Sequence, residues 1–135
     1  MDQRTLVVSC VEYYSDLKNI PGDKVFATFE NLGFIKMFLE SQQMFPEMDI
    51  DFYIGMVDGL TYLESDANDG ENTHHEERAT MIAEVIAMLQ KKHKMDDLEA
   101  CQMYYHSKTA ASVSDDKTGF YKKPAKEIFD LIEAE

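Results

Sequence analysis

The sequence predicts an all-α fold, a compact bundle of about six to seven short helices, and three observations lead to this prediction. Apolar residues recur at helical spacing through almost the whole chain of 135 residues. Only six Gly and three Pro occur, which disfavours a β-sandwich with many turns. Hydrophobic residues make up 44% of the chain, enough for the core of one domain or of two small helical halves.

Two helices are predicted at the start of the chain. The first runs from about Gln3 to Lys18, with Asp2 as its cap. Its apolar stripe consists of Leu6, Val7, Cys10, Val11, Tyr14 and Leu17. Pro21 ends this helix, and Asp23 is the expected cap of the next one. The inward residues of the second helix are Val25, Phe26 and Phe29. Gly33 is its predicted left-handed end.

Two more helices are predicted before residue 65. The third is closed by Pro46, and its inward residues are Phe34, Ile35, Phe38 and Leu39. The fourth lies in "MDIDFYIGMVDGLTYLES", with an apolar face of Ile50, Tyr53, Ile54, Val57 and Leu60. A β-strand over "DFYIGMV" is the competing interpretation. Gly55 and Gly59 lie four residues apart, which favours close approach of a neighbouring helix at a cost of about 1 kcal/mol each in helix propensity.

The segment 66–77, "DANDGENTHHEE", is predicted to be an acidic, flexible linker, because it has no apolar residue larger than Ala. It separates an N-terminal helical domain, residues 1–65, from a C-terminal one, residues 78–135. Three helices are predicted after it, the second capped by Asp96 and the third opened by Pro124. Their inward residues are Met81, Ile82, Val85, Ile86 and Leu89, then Leu98, Cys101 and Tyr105, and finally Ile128, Phe129 and Ile132. Whether the two halves share one core is left open.

The net charge of −13 is the strongest compositional signal. Such a field repels nucleic acid and anionic lipid, so direct binding to DNA, RNA or a membrane surface is not expected. It suits a basic protein partner or mimicry of a nucleic acid, although acidity that only maintains solubility is an equal alternative. The longest apolar run, "LVVSCV", is far shorter than the ~20 residues of a membrane span, and Glu12 interrupts it as a signal peptide. A cytoplasmic location is therefore predicted.

The stretch "YYHSKTAASVSDDKTGFY" contains most of the residues that could carry chemistry. Ser107 and Lys108 are adjacent, so on a helix their side chains point about 100° apart, and the catalytic Ser-x-x-Lys spacing is absent. A structural interpretation accounts for the same residues. Ser107 or Thr109 bonds the backbone where a helix ends, Asp115 or Asp116 begins a turn, and Gly119 supplies a positive φ. The sequence therefore predicts no catalytic residue here.

Metal and thiol chemistry are also not predicted. An EF-hand loop starting at Asp66 would place Glu71 where the turn needs Gly, and "HHEE" from His74 lacks the i, i+4 spacing of helical zinc ligands. Cys10 and Cys101 lie in apolar helical patterns and are expected to be inert core thiols. No cofactor or metal is expected.

The C-terminal segment resembles a group of small uncharacterised bacterial proteins. Their pattern is aromatic-x-Ser-Lys-Thr, then Asp-x-x-Thr-Gly-aromatic-Tyr, then a last helix opened by Ser-Pro or a similar pair. The matching residues are Tyr105, Ser107, Lys108, Thr109, Asp115, Thr118, Gly119, Phe120, Tyr121 and Pro124. The chain departs from the pattern at Lys123, where the group has Ser.

The N-terminal segment is similar to a second uncharacterised bacterial domain, which joins a Cys-Ile/Val-Glu-x-Tyr helix to a Gly-x-x-Val-Phe-x-x-Phe helix. The matching residues are Cys10, Val11, Glu12, Tyr14, Gly22, Val25, Phe26, Phe29 and Gly33. That domain commonly continues to a Leu-His pair, which "FPEMD" replaces here, so any role of that His is missing. Both groups are associated with toxins that resemble ADP-ribosyltransferases, and the resemblance implies an accessory or antitoxin-like role.

The leading hypothesis is a non-enzymatic helical module that binds and restrains a bacterial protein partner through an acidic surface. The predicted partner-binding residues are Asp49, Asp51, Asp58, Lys108 and Tyr121, together with the acids of segment 66–77. Lys108 and Tyr121 are expected to be exposed. The alternatives are an acidic nucleic-acid mimic and a small ligand-binding or enzymatic domain that uses the Ser107–Tyr121 loop. A homodimer is left open.

Overall fold

The structure is a computed structural model that describes residues 2–60 and 72–135, apart from the side chains of residue 54 and residues 57–60. The helices of these residues are α1 (Gln3–Lys18), α2 (Gly22–Asn31), α3 (Phe34–Met44), α4 (Ile50–Leu60), α5 (His75–His93), α6 (Asp97–Tyr105), α7 (Lys108–Val113) and α8 (Ala125–Glu133). Two 3₁₀ turns, Asp116–Thr118 and Phe120–Lys122, connect α7 to α8.

The predicted all-α class is confirmed, because the described residues form helices and turns and contain no β-strand. The strand interpretation of "DFYIGMV" is wrong, since these residues lie within α4. The short helix α7 was not predicted, because six residues are too few to show a periodicity. None of the helices that the structure describes combines the length and apolar character needed to cross a membrane.

Capping residues set the helix ends where the sequence predicts them. The Asp2 carboxylate accepts a hydrogen bond from the Thr5 N–H at 2.8 Å, which starts α1. The Asp96 carboxylate accepts from the Glu99 N–H at 2.8 Å and forms a capping box at the start of α6. Gly33 adopts φ +78°, the left-handed conformation expected where α2 ends.

The helix α1 lies at the centre of the bundle. It packs against α2, α3, α4, α5 and α6, and α5 packs in turn against α6 and α8. One apolar cluster contains buried residues from α1–α3 together with buried residues from α5, α6 and α8. The described residues on both sides of the predicted linker therefore share one core.

The predicted linker 66–77 is only partly within the described residues. Residues 66–71 lie outside them, so flexibility there stays a prediction, and the same holds for the calcium-loop interpretation that begins at Asp66. Residues 75–77 form the first turn of α5, which begins earlier than predicted. The reason is a set of hydrogen bonds that holds residues 72–78 against α1 and against the turn at Asp116.

Two predictions about individual residues are wrong. Leu17 is 51% exposed, because Asp16 occupies the side of the last turn of α1 that faces α5. Asp23 does not cap α2, since the fixed φ of Pro21 lets the helix begin at Gly22 with no side-chain cap. Three predicted core residues are only partly buried, and they are Leu39, Ile50 and Leu98.

Candidate partner-binding surface

A buried ion cluster joins α1, α5 and the first 3₁₀ turn. Arg78 of α5 has no exposed surface. Its Nε donates to Glu12 Oε1 at 2.7 Å, its Nη1 donates to Asp116 Oδ1 at 2.7 Å, and its Nη2 donates to Asp16 Oδ1. These four residues are called the Arg78 cluster. The planar guanidinium with five donors suits such a site better than the ammonium of Lys would.

Neighbouring groups complete the hydrogen bonding of two of these carboxylates. The Tyr105 hydroxyl donates to Glu12 Oε2 at 2.8 Å. The backbone N–H of His75 donates to Asp16 Oδ2 at 2.9 Å, and the His75 ring lies 3.1 Å from the same oxygen. Polar groups buried in a protein interior need partners of this kind.

The third carboxylate, that of Asp116, binds the backbone of the residues that precede α5. Its Oδ2 accepts from the backbone N–H groups of Thr73 at 2.9 Å and His74 at 3.2 Å. The Asn72 side chain donates to the Ser114 carbonyl at 2.7 Å and accepts from the Asp116 N–H at 3.2 Å. Residues 72–78 are therefore fastened to the turn after α7.

Glycine is required beside this cluster. A Cβ added to Gly22 would lie 2.5 Å from Glu12 Oε2. Gly22 is buried in the first turn of α2, so the absence of a side chain makes room for the Glu12 carboxylate.

Burial raises the pKa of Glu12, whereas the charge of Arg78 and the hydrogen bond from Tyr105 oppose this shift. Burial alone would lower the pKa of Arg78, but Glu12 and Asp16 raise it above its ordinary value. The guanidinium is therefore held in its charged form. Because Arg78 and Glu12 are closed to solvent, the cluster serves as a structural connection, and a substrate has no path to these two groups.

The polar residues of the Ser107–Tyr121 loop are occupied by backbone contacts. Ser107 Oγ accepts from the Ala110 N–H at 3.1 Å and thereby caps α7. The Glu135 carboxylate accepts from the backbone N–H groups of Lys108 at 2.8 Å and Thr109 at 3.0 Å. Although burial opposes it, the bonds from Thr109 and Lys108 lower the pKa of Glu135.

The turn that follows is close to the prediction. Asp115 accepts from the Lys117 N–H at 3.0 Å, and Gly119 adopts φ +73°. Asp116 was predicted as an alternative turn residue, but its carboxylate binds Arg78 instead. The structural interpretation of the loop accounts for these contacts.

The two thiols are buried, and each imidazole has a partner within the chain. Cys10 and Cys101 are buried and free, and burial raises the pKa of each thiol to about 12. Each of the four His rings lies against a carboxylate, in the pairs His74–Glu77, His75–Asp16, His93–Glu133 and His106–Glu30. Within residues 2–60 and 72–135, no three His, Cys, Asp or Glu side chains are placed to hold a metal ion.

An exposed apolar surface lies where α3 meets α4. Its side chains are between 37% and 72% exposed, and they are Met44, Phe45, Met48 and Phe52. The acids Glu47, Asp49 and Asp51 are exposed in the same segment. These seven residues are called the α3–α4 surface. Acids interleaved with exposed large apolar residues are unusual for a surface that only faces water.

Local structure explains why these apolar side chains are exposed. Pro46 ends α3, and Asp49 caps α4 by accepting from the Phe52 N–H at 3.2 Å. The inward position of α4 is taken by Tyr53, whose ring packs edge-on against Phe38 at 6.0 Å. Phe52, one residue earlier, is 37% exposed, and its ring packs edge-on against that of Tyr53 at 5.2 Å.

Charge is strongly one-sided around this surface. Between Lys36 and Arg78 the sequence holds eleven acidic residues and no Lys or Arg. Surface acids of a protein commonly have bases nearby that reduce the local field. The segment supplies no base of its own, so its own charges favour a cation.

A concave region lies between α5 and the start of α8. This groove, about 450 Å³ in volume, is lined by Glu76, Glu77 and Glu84 on one side and by Lys123 and Pro124 on the other. The polar groups of the Ser107–Tyr121 loop do not line it. It therefore gives no support to a reaction centre in that loop.

The predicted partner-binding residues fall in different places. Asp49 and Asp51 belong to the α3–α4 surface, and the side chain of Asp58 lies outside the described residues. Lys108 is exposed at the start of α7. Tyr121 is only half-exposed, contrary to the prediction, because its ring stacks on His74 at 4.2 Å.

Sequence reasoning missed the apolar part of the surface and the burial of Arg78. A signal for each was available. Met44 and Phe45 directly precede Pro46, so they lie at a helix end that offers little cover. Arg78 lies three residues before Met81 and four before Ile82, which places it on the apolar face of α5.

No family model, curated protein or solved structure matches the chain. The two resemblances therefore remain predictions. Residues quoted for both of them meet in the structure, since Glu12 and Gly22 of the N-terminal motif lie side by side and Tyr105 of the C-terminal motif donates to Glu12.

Proposed function

We propose that the protein is a non-enzymatic interaction module that binds and restrains a cationic protein partner, with the α3–α4 surface as its docking site. The observation that carries the proposal is the combination of four exposed large apolar side chains with three exposed acids, in a segment without Lys or Arg. An accessory or antitoxin-like role is part of the proposal and depends on the sequence resemblance.

The two kinds of residue have different tasks. Burying apolar area contributes roughly 25 cal/mol per Å², so Met44, Phe45 and Phe52 supply affinity. Met44 and Met48 also adapt to irregular partner surfaces, because the thioether side chain is flexible and polarizable. Asp49 and Asp51 steer a cationic partner and discriminate against anionic ones.

A pull-down from lysate of the source cell tests the proposal. The bait is wild type, a Met44→Ser/Phe45→Ser variant, or a Leu131→Ser control, which changes an exposed apolar residue on α8. We expect a protein that wild type and Leu131→Ser retain and that the double variant loses. Retention of the same protein by the double variant would contradict the proposal.

Charge is tested separately with Asp49→Asn/Asp51→Asn, because Asn at position 49 keeps the cap of α4 and removes only the charge. A Glu84→Gln variant changes an exposed acid in the groove on α5 and is the matched control. We expect the double Asn variant to retain less of the partner than wild type at about 0.1 M salt and as much as wild type at about 0.5 M, where the charges are screened, whereas Glu84→Gln matches wild type at both. Loss of the partner with Glu84→Gln alone would indicate that the partner docks in the groove and not on the α3–α4 surface.

The nucleic-acid mimic is the second candidate, favoured by the eleven acids between Lys36 and Arg78. It predicts retention at about 0.1 M salt and loss at about 0.5 M, where the Debye length falls to about 4 Å. Retention would then be unaffected by Met44→Ser/Phe45→Ser. Docking on the apolar residues predicts that the partner is retained at both salt concentrations and is lost with Met44→Ser/Phe45→Ser.

A further inference from the structure

The helix α4 contains a glycine that the described part of the chain does not require. Gly55 is exposed, and its φ is not in the left-handed region. A Cβ built on it would have no atom of the described residues within 4 Å. Ala would fit this position without contact and would favour the helix. The close approach of a neighbouring helix that the Gly55–Gly59 spacing predicts is therefore not made at Gly55 by the described residues.

The position of Gly55 connects it to the α3–α4 surface. On a helix, Phe52 lies three residues and Asp51 four residues before Gly55, so the three share one face. This face thus presents an aromatic ring, a carboxylate and a gap where a side chain would otherwise project. A backbone from outside can approach α4 most closely at such a gap.

We propose that the docking segment of the partner is a cationic amphipathic α-helix, which crosses α4 at Gly55 and lays its apolar residues on Phe52 and Met48. This inference rests on the proposed function. A helix suits the site because its apolar residues repeat on one face while Lys or Arg on the flanks reaches Asp51 and Asp49. The gap at Gly55 shortens the distance between the two helix axes.

The charge argues against two other occupants. A second copy of this chain would bring its own net charge of −13 and the same acids to the contact. The segment 61–71 of the same chain contributes four acids and no base, so it too has the wrong sign. A cationic segment from another protein is the occupant that complements the surface.

The test uses a synthetic Leu–Lys peptide of about 18 residues, long enough to form an amphipathic helix, and a scrambled peptide of the same composition without an apolar face. Binding to the full chain is followed by fluorescence anisotropy and by backbone amide shifts in an NMR titration. We expect the amphipathic peptide to bind wild type and to shift the amides of α4. We expect the scrambled peptide to bind at least about tenfold more weakly.

Gly55→Ala is the decisive variant, because its effects on folding and on binding have opposite signs. We expect a higher urea midpoint for the free protein and binding of the amphipathic peptide weakened about tenfold or more. The Leu131→Ser variant is the binding control and is expected to match wild type. Unchanged binding by Gly55→Ala, equal binding of the scrambled peptide, or no binding of the amphipathic peptide would each overturn the inference.

The outcomes separate this inference from the proposed function. Loss of the cellular partner with Met44→Ser/Phe45→Ser but not with Gly55→Ala would keep the docking surface and overturn the helix that crosses at Gly55. A wild-type dimer in sedimentation experiments that Gly55→Ala dissociates would assign the gap to a second copy and overturn the cationic partner.

Discussion

The Arg78 cluster and the α3–α4 surface each contain three carboxylates, yet the surroundings of these charges are opposite. In the cluster, three carboxylates surround one guanidinium, and each of the four side chains is at most 10% exposed. In the surface, three acids stand in solvent within a segment that contains no Lys or Arg. The difference shows that burial decides the role of an acid. A buried carboxylate needs a partner within the chain, whereas an exposed one remains available to another molecule.

Removing the Arg78 guanidinium is expected to change the free energy of unfolding more than any other variant described below. Arg78→Met leaves Glu12, Asp16 and Asp116 without their shared cation, and we expect the free energy of unfolding to fall by about 3–5 kcal/mol. Urea denaturation measures this loss. The control is Arg4→Met, since Arg4 is part-exposed and pairs with Asp2 at 3.5 Å, and we expect a change of at most about 1 kcal/mol. Equal losses for the two variants would show that the Arg78 cluster stabilises the fold no more than the part-exposed ion pair of Arg4 does.

The two helical glycines with described surroundings give the next effect. Gly22→Ala places a methyl group 2.5 Å from Glu12 Oε2 and forces the carboxylate away from Arg78. We expect a loss of about 1–3 kcal/mol in the free energy of unfolding, measured by thermal and urea denaturation. Gly55→Ala, whose added methyl group meets none of the described residues, is expected to gain up to about 1 kcal/mol. If both variants changed the free energy of unfolding in the same direction, Gly22 and Gly55 would not differ in the way described, one being required by the fold and the other being available to a partner.

Two adjacent tyrosines provide the smallest test. Both side chains are buried, but the Tyr105 hydroxyl donates to Glu12 at 2.8 Å, whereas the Tyr104 hydroxyl has no hydrogen-bond partner among the residues that the structure describes. We expect Tyr105→Phe to lower the free energy of unfolding by about 1–2 kcal/mol, and Tyr104→Phe to change it by less than about 0.5 kcal/mol. Differential scanning calorimetry compares the two. A larger loss for Tyr104→Phe would mean that the bond to Glu12 contributes little.

Local features of the sequence predicted most of the fold. Asp2, Pro46 and Asp96 act within a few residues of themselves, so they mark helix ends without knowledge of the rest of the chain. The apolar face of α5 was equally visible, because Met81 and Leu89 repeat within one helix. Segment 66–71 and the division into two domains stay predictions.

The Arg78 cluster could not be predicted in the same way. Glu12 and Arg78 are 66 residues apart, and no pattern along the chain relates one to the other. Leu17 was misplaced for a similar reason, since the side of α1 that faces α5 at that turn is set by the contact of Asp16 with Arg78. Of the candidate surface, the sequence identified Asp49 and Asp51. It did not identify Met44 and Phe45 because exposure depends on which helix covers them.

The sequence separations in the Arg78 cluster also bear on the order of folding. Glu12 meets Arg78 across 66 residues and Tyr105 across 93 residues, so large loops must close before either contact forms. A guanidinium that loses water before its carboxylates arrive is destabilised, which delays this step until the helices have assembled. We therefore expect the cluster to form after the transition state, so that weakening it accelerates unfolding and leaves the refolding rate unchanged. On this expectation the buried charges would set the lifetime of the native state, and stopped-flow kinetics of Arg78→Met would test it.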